Sequence, residues 1–113
     1  MSSVTFVTDY LQLDFSGPRL TLYVWPDVRL LSEPQRSLGD NGFRDAMCLL
    51  IDSEVRDVRE STTEGLILCF DLGELQVNPE PSQLTGPEIA MYQSGSAELM
   101  VWRPGEGPFA LLA

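Results

Sequence analysis

This chain has 113 residues, 17 acidic groups against seven arginines, neither histidine nor lysine, and a net charge of −10. Without the usual general base near neutral pH, or the amine that forms Schiff bases and grips phosphates, most hydrolase, transferase and nucleotide-binding mechanisms are excluded. The charge disfavours nucleic acid and anionic lipid, because few cations are present to release phosphate counterions.

The length suits a single domain over residues 1–113, able to bury roughly 65% of its unfolded surface. The longest apolar runs, Met47 to Ile51 and Leu66 to Phe70, are far too short to span a membrane. Met1 to Phe6 has no basic stretch ahead of an apolar one, so no secretory signal is expected and the cytoplasm is the expected compartment. Cys48 and Cys69 would remain reduced thiols there.

In chain order, Leu11, Leu13 and Phe15 alternate with polar residues, as do Leu20, Leu22 and Val24. A loop at Ser16-Gly17-Pro18-Arg19 predicts a hairpin pairing Phe15 with Leu20, Leu13 with Leu22 and Leu11 with Val24. Its other face sets Tyr10 opposite Trp25 and Gln12 opposite Tyr23. Val4 and Phe6 have the opposite parity, which calls for a bulge near Thr8.

Pro26 is expected to end the second strand, with residues 27 to 41 as a loop. Phe43, Ala46, Met47, Leu50 and Ile51 then mark one face of a helix capped by Asp40 or Asn41. Residues 54 to 60 read as a charged edge strand, with Glu54, Arg56, Val58 and Glu60 on one side and Val55, Asp57 and Arg59 on the other.

Leu66 to Phe70 reads as a central strand, joined through Asp71-Leu72-Gly73-Glu74 to a strand holding Leu75 and Val77. Thr85-Gly86-Pro87-Glu88 has capping-box spacing, predicting a helical turn over 87 to 92, and Glu98 to Arg103 forms the last strand. The sum is an α+β domain: a single antiparallel sheet of about six strands with one main helix packed on it.

No nucleotide-binding, nucleophile-elbow or Cys-x-x-Cys motif is present, and two separated cysteines without histidine do not make the usual zinc sites. Neither a cofactor nor a metal is expected. Asp40, Asn41 and Asp45 form the densest oxygen-ligand group, which a capped helix start explains, and Cys48 beside Arg44 reads as a bystander thiol opposed by Asp45 and Asp52. A carboxylate-only enzyme is the disfavoured alternative.

Two surface features remain. Tyr10, Tyr23 and Trp25 form an amphipathic aromatic face, of the kind that serves protein binding or is buried by self-association. Glu54, Asp57 and Glu60 lie along the charged edge, either as a solvated edge or as a strip that steers a basic partner.

Five segments, Asp9 to Leu13, Phe43 to Cys48, Leu66 to Asp71, Leu84 to Glu88 and Val101 to Glu106, together resemble a small bacterial domain of unknown function across most of the chain. The resemblance supplies no catalytic residue. In size, acidity and layout the chain is also similar to immunity proteins that neutralise bacterial toxins, which implies a non-catalytic protein bound to a basic protein. The alternative is a homodimeric accessory protein.

Overall fold

The computed structural model describes residues 1–84, 86–96 and 98–104. Among them the chain forms β1 (Ser3–Phe6), β2 (Leu11–Asp14), β3 (Arg19–Leu22), β4 (Asp27–Leu30), α1 (Phe43–Leu49), β5 (Val55–Ser61), β6 (Gly65–Phe70), β7 (Gly73–Val77), β8 (Ala90–Gln93) and β9 (Leu99–Trp102). Two antiparallel sheets result, ordered β1-β2-β3-β8-β9 and β4-β7-β6-β5. The expected single sheet of about six strands under a main helix is therefore corrected to two packed sheets and one short helix.

Three four-residue strands, β1, β4 and β8, account for the difference. Val28 and Leu30 alternate with Asp27 and Arg29 for too few residues to stand out after Pro26, yet β4 pairs Val28 with Leu75. Pro26 is buried at the corner where the chain passes from one sheet to the other, a role available to a residue with no N–H to leave unpaired. Ala90 to Tyr92, expected in a helical turn over 87 to 92, instead lie in β8 and pair with β3 and β9.

The one-turn helix lies earlier, at Pro81–Gln83, where the Glu80 N–H donates to Gln83 Oε1 at 2.7 Å. The expected capping box includes residue 85, which lies outside the described residues. β1 pairs Val4 with Leu13 and Phe6 with Leu11, so the intervening turn itself reverses the parity, and no bulge near Thr8 is involved.

Both predicted hairpins are tighter by two residues. Leu13 faces Leu20 and Leu11 faces Leu22. Ser16 and Gly17, with φ of 59° and 133°, supply the positive angles of a two-residue primed turn, closed by the Phe15 N–H donating to Pro18 O. Similarly Leu68 faces Leu75 and Leu66 faces Val77. A slip of two keeps every side chain on its expected face, so the hydrophobic pattern alone does not distinguish these registers.

At the end of the first hairpin, Arg19 Nε donates to Asp14 Oδ1 at 2.7 Å and Ser3 Oγ donates to Oδ2 at 3.0 Å. The Arg19 hydrogen bond is the main reason that the Asp14 pKa lies below its ordinary value. A carboxyl whose pKa is depressed on folding stabilises the fold above its unfolded pKa, about 3.9, and that stability is lost as pH falls through the lower folded value. Asp14→Asn should therefore cost a few tenths to about 1 kcal/mol at neutral pH, given its exposure. It should also flatten the acid limb of urea midpoint plotted against pH; an unchanged limb would show that the pair is inert.

The inner face of the first sheet presents Leu11, Leu13, Leu20, Leu22 and Ala90, and that of the second Val28, Leu66, Leu68, Leu75 and Val77, all in one core. α1 packs on β4 and β1, the edge strands on one side of the two sheets, and buries Phe43, Ala46 and Met47 there. Its N-cap is Gly42, at φ 81°, with no side-chain cap. Asp40, one of the two expected caps, instead accepts from the Ser37 N–H at 2.7 Å.

The strand β5 is the edge of the second sheet. At its start the Met1 amino group donates to Ser53 O and the Asp52 N–H donates to Met1 O. Farther along, Val58 and Glu60 share a cavity with Leu20 and Tyr92, and just past its end Thr62 shares another with Trp102. Among the described residues, no helix is long and apolar enough to cross a membrane.

Candidate functional site

The tighter register places Tyr10, just before β2, opposite Tyr23, just after β3. Their neighbours Leu11 and Leu22 point into the core, so the two phenols stand on the outer face of the first sheet. Their ring centroids are 6.3 Å apart at 51°. The Tyr23 N–H donates to Ile89 O at 2.9 Å and holds the segment before β8 alongside. Asp9, Gly86, Pro87 and Glu88 complete a notch of about 350 Å³ around the two rings. Burial raises the Tyr23 pKa, and the Glu88 carboxylate adds to that shift.

Trp25, expected opposite Tyr10, is elsewhere. The chain turns toward the second sheet after Tyr23, and the half-buried indole stacks on Phe6 with centroids 6.4 Å apart. Arg44 of α1 lies 5.8 Å over the same Phe6 ring. The three aromatics thus divide into an outward pair and an indole belonging to the wall beneath the helix.

The acidic strip divides as well. A bulge between Val55 and Asp57 sets Val55 opposite Phe70, Val58 opposite Leu68 and Glu60 opposite Leu66. Val55 therefore shares the inward face with Val58 and Glu60, whereas the sequence alternation had put it on the other side. Glu54 is exposed ahead of the strand and pairs with Arg56 at 3.3 Å. Asp57 is exposed on the outer face, its carboxylate accepting from the Val58 N–H at 2.9 Å.

Inward-facing Val58 and Glu60 border an apolar cleft of about 410 Å³ between the two sheets, walled by Phe15, Pro18, Leu20, Leu66, Leu68 and Tyr92. Glu60 is the one charged residue of its lining among the described residues. The side chain reaches solvent at the rim, yet burial against this wall pushes its pKa above the ordinary value. No hydrogen bond or ion pair to it forms among the described residues. Sequence reasoning missed this cleft because strict alternation misses the bulge that brings Val55 to the side of Val58 and Glu60.

Five of the seven arginines are held by the protein's own acids. Arg19 pairs with Asp14, Arg29 and Arg59 with Glu74, Arg36 with Glu33, and Arg56 with Glu54 and Asp71. Arg29 and Arg59 meet Glu74 over the outer face of the second sheet, where Ile67 is buried. Asp9 and Glu88 at the tyrosine notch form no ion pair among the described residues.

Cys48 is exposed and Cys69 half-buried, both as free thiols. No group of three or more potential metal ligands occurs among the described residues. Comparison with protein-family models, curated proteins and solved structures returned no match.

Proposed function

We propose that this chain is a non-catalytic acidic binding protein whose ligand is a basic protein, in the manner of an immunity protein inhibiting a cationic toxin. The observation that carries the reading is the Tyr10–Tyr23 notch, flanked by two carboxylates that form no ion pair among the described residues, in a chain whose arginines are largely committed to its own acids. A phenol face attracts a guanidinium or ammonium group, and a flanking carboxylate supplies the hydrogen-bonding counterion. The surrounding negative field speeds encounter with a positive partner. Self-association through the same notch is the weaker reading, because it sets like charges together. A cytoplasmic location, where both cysteines remain reduced, fits this role.

The test is surface binding to a panel of basic bacterial nuclease toxin domains at low and at physiological salt. Tyr23→Ala and Glu88→Gln should each weaken binding about tenfold, roughly the worth of one anchored cationic contact. Glu64→Gln and Glu80→Gln make the same charge change away from the notch and should alter affinity less than about twofold. Equal losses from all the carboxylate variants would reduce the interaction to nonspecific charge attraction. Absence of binding across the panel at either salt would end the reading.

A further inference from the structure

The cleft between the sheets is separate from the tyrosine notch and lies on the inner face of β5. Its chemistry is unusual for this chain: apolar walls from Phe15, Leu20, Val58, Leu66, Leu68 and Tyr92, with Glu60 as the one charged lining residue among those described. At about 410 Å³ it falls within the range of small-molecule sites, which are mostly apolar with a few polar groups fixing orientation.

Glu60 stands in the core-facing register of β5, opposite Leu66, where an apolar side chain would otherwise continue the Val55 and Val58 row. The carboxylate stays in reach of solvent at the rim but gives up part of its hydration against the wall, and among the described residues no arginine pairs with it. The neighbouring carboxylates are satisfied locally: Glu54, just ahead of β5, by Arg56, and Asp57 by the Val58 N–H.

We propose that the cleft binds a small amphiphilic monocation, its aliphatic or aromatic body against the walls and its ammonium group on Glu60. The apolar walls select the body and the single carboxylate selects the sign of the head group. A fatty acid would bring a second negative charge against Glu60, and a neutral alcohol would leave the carboxylate without its counterion.

The probes are n-octylammonium, n-octanol and n-octanoate, titrated separately while the methyl NMR signals of Val58, Leu66 and Leu68 are followed. Octylammonium should bind about tenfold more tightly than octanol, with octanoate weakest. Glu60→Gln should abolish the preference for the ammonium while leaving octanol affinity unchanged. Val58→Trp adds bulk at a side chain that is 47% exposed, so the fold should tolerate it while all three ligands lose access.

An ammonium preference that survives Glu60→Gln would overturn the proposal, as would equal binding of octylammonium and octanol to the unaltered protein. So would a lack of response at the cleft methyls. Ligand-free self-association abolished by Val58→Trp would assign the cleft to a second copy of the chain and overturn it too.

Discussion

Gly65→Ala should lower stability by about 3 kcal/mol or more, since a non-glycine residue in left-handed backbone and a steric overlap each cost roughly 1–3 kcal/mol. Gly65 has φ +73° at the start of β6, and a Cβ there would run into the Val77 carbonyl oxygen while lying 3.0 Å from Asn78 Cβ. The obstruction is backbone of the paired strand, which moves only if the β6–β7 ladder opens. Gly39→Ala is the control: φ is +96° but the space around it is open, so only the conformational cost, about 1 kcal/mol, should appear. Urea unfolding of both variants measures the difference. Equal midpoints would show that the β6–β7 end yields easily and that the overlap is relieved by small shifts.

Phe43→Ala should cost about 3–5 kcal/mol, the usual range for removing a buried phenyl ring from a packed core. Phe43 begins α1 and is among the largest fully enclosed side chains, in a helix that has few other attachments. At seven residues α1 is too short to be stable by itself, so its persistence depends on packing against β4 and β1. The loss should therefore exceed the cavity term and appear as weakened amide protection throughout residues 43–49. Leu49→Ala, on the exposed side of the same helix at 57% exposure, should change stability by less than about 0.5 kcal/mol. A Phe43→Ala protein with unaltered helix protection would mean that Ala46, Met47 and Leu50 hold the helix unaided.

The sequence conveyed faces more reliably than partners. Alternation at Leu11, Leu13, Leu20 and Leu22 identified the inward side chains, because strand periodicity survives any even register shift. It did not identify who faces whom, and that step governs the aromatic surface: a slip of two residues replaced Trp25 by Tyr23 opposite Tyr10. The positive φ at Ser16 sets the slip, and serine carries no strong signal for that conformation.

The four-residue strands β4 and β8 offer barely one full alternation each, too little to outweigh a neighbouring proline or a helix-start spacing. For the candidate sites, Tyr10 and Tyr23 were legible as an outward pair of aromatics. Glu88 was legible only as part of an expected helix start. Glu60 was legible as an acid on the Val58 side of an edge strand, but not that this side faces inward, because Val55 joins it there only through a bulge that no residue type marks.

The order of strands along the chain also bears on how the molecule assembles. β4 to β7 occupy a continuous stretch and make up one sheet, whereas β3 must find β8 across that whole stretch to complete the other. Closing so long a loop carries an entropic cost that adjacent hairpins avoid, and non-local strand pairing is associated with slow folding. The β5–β6–β7 meander and the β1–β2–β3 meander are thus expected to form early, and the β3–β8 union late. Until it closes, β3 is an open edge carrying Leu20 and Leu22, the stretch of this chain most prone to pair with another molecule before it pairs with its own.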